Sequence, residues 1–211
     1  VDKRGSRKVV IRQIPIVILL FVVAFAGPLK ADDAADGAKQ FIESLADEAV
    51  HSLAAPDIDR VERHQRFRKL MLENFAFQRI ARWVLGRYWR RATEAERGEY
   101  LKLFEDMLVF VYADRFARYS GEKLDVGRAE LRGENDILVH SKIVRPDELK
   151  PVEVAWRVSR QDEKYKIVDV MVEGLSMGLT QQKEFASVIR QNGNGIQGLL
   201  DELKKRIDVN S

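Results

Sequence analysis

From Ala34 to Tyr119 apolar side chains recur at every third or fourth position; from Gly121 to Val172 they recur at every second. The first pattern puts an apolar stripe along a helix, and the second puts one apolar face on a strand. Phe41, Ile42, Leu45, Ala49 and Leu53 predict a helix over 34–53. Pro56, followed by Asp57 and Asp59, suits the first turn of a second helix reaching Asn74, because that turn needs no proline N–H and its positive end favours acids. Residues 77–89 predict a third helix, bent at Gly86. Thr93-Glu94-Ala95-Glu96 has the form of a capping box and opens a helix running to Tyr119, about 40 Å long. Its apolar set, which includes Phe104, Leu108, Val111, Tyr112 and Phe116, is too wide for a helix with one buried side. It is expected to meet helices on one side and a sheet on the other.

Leu124 to Ala129, Ile137 to Val144, Val152 to Val158 and Tyr165 to Val172 predict four strands, and the short turns between them imply an antiparallel meander. After Gly174 two more helices follow, over 180–191 and 195–207, split by Asn192-Gly193-Asn194-Gly195. No repeat or linker interrupts the pattern. The expected fold class is α+β, with helices packed on one face of a four-stranded antiparallel sheet.

Ahead of this domain the pattern changes. Lys3, Arg4, Arg7, Lys8 and Arg12 precede an uncharged run, Ile14–Ala26, and a small residue then precedes the acidic stretch from Asp32 to Asp36. This is the form of a secretory signal peptide, expected at 1–31 with cleavage after Ala31, leaving 32–211 as a single domain. The alternative, a retained anchor, needs a run of roughly 20 apolar residues. No twin-arginine pair precedes the run, so Sec-type export to the periplasm is expected.

That segment changes the charge. The whole chain of 211 residues has a formal net charge of +3, but residues 1–31 hold six basic residues and one acidic, so the remaining domain is at −2. A nucleic-acid reading loses its support. The absence of cysteine excludes a thiol nucleophile, a thiolate metal or Fe–S site and a disulfide scaffold.

Motifs that carry chemistry are few. Gly174-Leu175-Ser176-Met177-Gly178 satisfies G-x-S-x-G, yet no histidine follows His140 to complete a Ser-acid-His triad, and the strand before it belongs to an antiparallel meander. Ser176 is expected to bond the free amides of the next helix instead. His51, His64 and His140 fall in no metal-ligand spacing, and no glycine-rich phosphate loop occurs. Asp169 stands among Ile167, Val168, Val170 and Met171. It is either an acid paired with a basic neighbour or the buried acid of an isomerase- or dehydratase-like enzyme on a cone-shaped fold. Arg79, Arg82, Arg87, Arg90 and Arg91 interleave with Trp83, Tyr88 and Trp89, as on a solvated helix face, a surface that stacks nucleic-acid bases or one that meets lipid phosphates.

The sheet face and the two-sided helix offer more apolar surface than a close two-layer core needs. An apolar cavity between them would hold an acyl chain at about 0.8 kcal/mol per methylene. Phe75-Ala76-Phe77-Gln78-Arg79-Ile80-Ala81-Arg82-Trp83-Val84-Leu85-Gly86-Arg87-Tyr88-Trp89 resembles the F-D-F…I-A…V-L-G…W stretch of the MlaC, or toluene-tolerance auxiliary, family. Thr93-Glu94-Ala95-Glu96-Arg97, then Phe104, Leu108 and Tyr112-Ala113, and finally Val170-Met171-Val172-Glu173-Gly174-Leu175-Ser176 with Phe185 continue the resemblance in order.

The resemblance implies an NTF2-like or cystatin-like fold enclosing a cavity for lipid tails. It implies a monomeric periplasmic carrier with phospholipid as cargo, with neither catalysis nor a cofactor. Its implied partners are an inner-membrane ABC lipid transporter complex and an outer-membrane lipoprotein complex, between which it would help maintain outer-membrane asymmetry. The expected lining is Trp83, Phe104, Leu108, Val111, Tyr112 and Phe116 from the helices, and Val139, Val154, Trp156, Val168 and Val170 from the sheet. Arg82, Arg87 and Arg145 are expected at the mouth. Ala76 stands where the family commonly has an acid, and Leu179 to Phe185 lacks a Tyr-Arg pair; these departures leave room for a paralogue linked to hopanoid or another lipid.

Overall fold

The computed structural model describes residues 29–146, 150–161, 164–193 and 195–210. The signal segment expected at 1–31 lies outside them except for its last three positions, which open the first helix. α1 spans Leu29–Leu53 and α2 spans Arg60–Asn74. α2 begins at Arg60 and not at Pro56, because Asp59 supplies the cap: its carboxylate accepts the Glu62 N–H at 2.8 Å. α3, Phe77–Leu85, turns into a 3₁₀ segment, Gly86–Tyr88, at Gly86 with φ of 58°. α4, Glu94–Phe116, opens on the expected capping box, with Thr93 Oγ1 accepting the Glu96 N–H and the Glu96 carboxylate accepting the Thr93 N–H. It ends three residues short of Tyr119.

β1 (Lys123–Leu131), β2 (Asp136–Val144), β3 (Val152–Gln161) and β4 (Lys164–Val172) pair in sequence order as an antiparallel meander. A fifth strand, β5 (Leu175–Ser176), corrects the expected count of four. Glu173 and Gly174 both have positive φ, 49° and 78°, as a two-residue type I′ hairpin requires, and they fold Leu175 and Ser176 back onto Val172 and Met171. α5 (Met177–Gln191) and α6 (Ile196–Asn210) complete the chain. Ser176 caps α5, its hydroxyl accepting the Leu179 N–H at 3.0 Å.

Cross-strand register sorts the two faces of the sheet. Ile137 opposes Val158, and Trp156 opposes both Val139 and Val170, so these residues share a face. α1 covers it: Ala34, Ala38 and Ile42 pack with Ile137, Val139, Val158 and Ile167. Arg157 and Ser159 alternate with Trp156 and Val158 and point the other way. α3 lies on that side, where Arg79 donates to Ser159 Oγ at 3.3 Å. Helices therefore touch both faces at the β3–β4 end, not one face as expected.

The β3–β4 register slips between Arg157 and Val158, so β4 carries one extra residue, Val168. Ile167 and Val170 consequently share the α1 side, whereas Val168 lines an outer cleft with Arg79, Ile80, Trp83 and Arg157. Phe75 bridges Ile167 at the outer edge of β4, and Ala76 donates its N–H to the Ile167 carbonyl at 2.9 Å. Among the described residues no helix is long and apolar enough to cross a membrane.

Candidate functional site

Two hydrophobic clusters form the interior, and Phe75 packs against both. In the helical cluster the Tyr100–Phe104 and Phe104–Phe185 ring centroids are both 5.6 Å apart, and Phe77 lies 6.0 Å from Phe104. The Tyr100 hydroxyl donates to the Ala81 carbonyl at 3.0 Å, and burial pushes its pKa well above the ordinary value. The second cluster joins α1 to the sheet. Half-buried apolar side chains fringe both: Phe67 and Leu108 on the helical side, and Phe41, Leu45, Leu124, Trp156 and Val170 on the sheet side.

The residues expected to line one cavity fall in several places. Val139, Trp156 and Val170 are cross-strand neighbours on the α1 side, and Val154 is buried farther along the same face. Leu108 and Phe116 are half-buried on α4, with Phe116 6.4 Å from Phe67. Tyr112 is half-buried with the Arg115 guanidinium 5.0 Å from its ring. Phe104 is held inside the aromatic stack, while Val111 is exposed. Trp83 and Val168 line the outer cleft, across the sheet from Trp156. Phe41, Leu45, Phe67 and Phe75 join the fringe without having been expected there. Phe41 and Leu45 were visible as a helical stripe, but periodicity does not say what covers a stripe.

Trp89 Nε1, at the edge of the helical cluster, is buried without a hydrogen-bond partner among the described residues, but the polar groups beside Trp156 and at Asp169 are satisfied by the chain itself. Trp156 Nε1 donates to Ser141 Oγ at 2.9 Å, and that hydroxyl donates to the Val154 carbonyl at 3.1 Å. This pair fixes the indole without leaving a free polar atom beside it. Asp169 is buried. Its Oδ1 accepts the N–H groups of Val170 and Gly178 at 2.9 and 3.1 Å, and its Oδ2 accepts the Ser176 hydroxyl at 2.6 Å. The acid thus anchors the start of α5 to β4. Its facing arginine, Arg157, is instead bonded to Asp136, with contacts of 2.6 to 3.0 Å.

His64 Nε2 meets Asp114 Oδ1 at 2.8 Å. His140 Nε2 lies 3.4 Å from Glu130 Oε1, an ion-pair distance without hydrogen-bond geometry. His51 lies in the last turn of α1. No group of three metal-ligating side chains comes together among the described residues.

The three arginines expected at a mouth do not gather at one opening. Arg82 and Arg97 each lie 5.4 Å from the Trp89 ring. Arg87 donates to the Tyr88 hydroxyl at 3.1 Å; that bond, with Arg190 nearby, holds the phenol below its ordinary pKa. Arg145 follows β2 and acts on Glu122 beside the start of β1. The outer cleft at Val168 has a volume of about 190 Å³, and a second, of about 280 Å³, lies between Val61, His64 and Phe110.

The family model described as MlaC protein matches residues 43–205. The intermembrane phospholipid transport system binding protein MlaC of Haemophilus influenzae is 22% identical over 125 residues, and the match covers 58% of this chain and 58% of that protein. The chain thus spans little more than half the length of that curated relative. A phospholipid-binding protein from Ralstonia solanacearum, solved in complex with a phospholipid, aligns with a TM-score of 0.74 at 22% identity, over 82% of this chain and 98% of the other. That likeness shows the fold.

Proposed function

The chain belongs to the MlaC family, and on that premise we propose that it is a periplasmic lipid carrier that holds phospholipid acyl chains between its helical layer and its sheet. The observation that carries this reading is the apolar fringe of the two clusters. Phe41, Leu45, Leu108, Trp156 and Val170 are only half-buried, and none brings an unpaired polar atom. An acyl chain laid along such side chains gains about 0.8 kcal/mol per methylene removed from water. The similarity to a fold solved with a phospholipid bound and to a phospholipid transport binding protein supports the same cargo. In this reading the leader exports the chain, and the carrier shuttles lipid between outer- and inner-membrane complexes to maintain outer-membrane asymmetry. Asp169 and Ser176 serve the fold, since their hydrogen bonds are spent on α5.

Native mass spectrometry of the protein purified from the periplasm, followed by organic extraction, tests the reading. Phospholipid at a fixed stoichiometry is expected. Leu108→Asp should lower its recovery, while Leu131→Asp, at an exposed β1 end, should not. A hopanoid in the extract would keep the carrier and change its cargo. Repeated recovery of no lipid would overturn the reading.

A further inference from the structure

Most basic side chains of known partner sit against a carboxylate. Arg60 and His64 share Asp114, Arg66 meets Glu62, Arg68 meets Glu105 and Asp106, and Arg206 meets Glu184 and Glu202. Arg63, Arg115 and Lys166 meet backbone carbonyls instead, and one stretch of chain gathers several cations without a carboxylate. From Phe75 to Thr93 the chain has five arginines and no acidic residue. Among the described residues, no carboxylate lies within ion-pair distance of Arg79, Arg82, Arg87, Arg90, Arg91 or, on α5, Arg190. Four of them meet neutral groups: Arg79 the Ser159 hydroxyl, Arg82 the Trp89 indole, which Arg97 also flanks, and Arg87 and Arg190 the Tyr88 hydroxyl. Like charges held together without neutralisation attract an external anion.

An exposed apolar ridge adjoins the Arg79 end of this stretch. Leu175, in β5 just past the hairpin turn, is 68% exposed, and Leu179, Met177 and Trp83 are 41%, 38% and 37% exposed. Trp83 joins ridge and arginines. Its ring lies so close to Gly178 that a Cβ there would be 2.1 Å from its Cζ3, and it shares the outer cleft with Arg79. Gln182 Nε2 donates to the Trp83 carbonyl at 2.6 Å and locks α3 to α5.

We propose that this face docks on an anionic phospholipid bilayer, with the arginines on lipid phosphates and Leu175, Met177, Leu179 and Trp83 entering the headgroup–acyl boundary. The ridge projects from a hairpin and the adjoining helix turn, so it suits a deformable apolar layer more than a rigid protein knob. Arginines and a tryptophan beside aliphatic side chains are the composition that seats a protein at such an interface. The docking face does not depend on what fills the interior, so the two readings can fail separately.

Co-sedimentation of the purified protein with vesicles tests the proposal. Binding is expected to vesicles of phosphatidylcholine with phosphatidylglycerol, weakly to phosphatidylcholine alone, and to fall at high salt. Replacing Arg87, Arg90 and Arg91 together by Gln should weaken binding roughly 100-fold, and Leu175→Asp by about tenfold or more. Replacing Arg128 and Arg132, which pair with Glu130, should leave it unchanged. In a Trp156→Phe background, which removes the ring placed against cargo, brominated acyl chains should quench tryptophan emission, and adding Trp83→Phe should remove that quenching; this readout needs no charge variant to fold. Equal binding to both vesicles, wild-type binding by the arginine variant, or no sedimentation would each overturn the proposal, the last being the result expected if an acidic protein occupies the face.

Discussion

The helical cluster and the α1–sheet cluster use similar side chains but close differently. In the first the central rings are the interior: Tyr100, Phe104 and Phe185 are buried and touch one another, with Phe67 and Trp89 at the edge. In the second the fully buried residues are small or aliphatic, such as Ala38, Ile42, Val139 and Val158. Its rings, Phe41, Trp156 and Tyr165, stand half-buried at the rim. A ring enclosed by other rings contributes to folding and has nothing left to offer a ligand. A ring at a rim keeps part of its apolar area for a second body, and that is where a carrier's cargo would go.

The sharpest break of this comparison is Phe185→Ala. It removes a wholly buried ring from the closed cluster, and a loss of about 3–5 kcal/mol is expected in urea unfolding. Lipid recovered per folded molecule should not change. Asp169→Ala comes next, because Asp169 ties β4 to α5 and so joins the two regions. It would strand the Gly178 N–H and the Ser176 hydroxyl, costing about 2–3 kcal/mol. Unaltered lipid recovery from the folded fraction would set the anchor role apart from any chemistry at this acid. Trp156→Ala should reverse the balance: about 2 kcal/mol in stability for a half-buried ring, but a clear loss of bound lipid in extraction. If it costs as much stability as Phe185→Ala and leaves lipid recovery intact, the distinction between closed and open cluster collapses.

The parts of this arrangement that were legible in the sequence are those fixed by neighbours along the chain. The Thr93–Glu96 capping box, the bend at Gly86, the alternation of β3 and the Ser176 cap each need only a few adjacent residues. α2 was misplaced because two local signals competed, and the Asp59 side chain outcompeted proline at Pro56. β5 was hidden because Glu173 takes positive φ, which a non-glycine residue rarely does. The extra residue at Val168 belongs to a strand pair and has no signature in either strand alone, so alternation placed Val168 beside Val170. The division of the lining residues between two clusters arises from how α1 and α4 dock, a tertiary choice that periodicity does not encode. The arginine face, by contrast, was visible as composition, and only the missing carboxylate partners had to come from the fold.

The smallest expected effect lies on the outer rim of the closed cluster, where α2 meets α4. Asp114 accepts from Arg60 Nε at 3.1 Å and meets His64 Nε2 at 2.8 Å. Burial alone would raise the Asp114 carboxyl, but the hydrogen bonds and charges of His64 and Arg60 together outweigh it and hold the carboxyl below its ordinary value of 3.8. A carboxyl that titrates lower in the folded than in the unfolded chain stabilises the fold above the unfolded value, and that contribution fades as pH falls through the folded one. The pair is partly solvated, so no more than about 1 kcal/mol is at stake. Asp114→Asn should therefore be slightly less stable than the wild type at neutral pH, and the gap in urea midpoint should close below about pH 4. A gap that persists there would mean that Asp114 acts through packing on the helical layer and not through its charge.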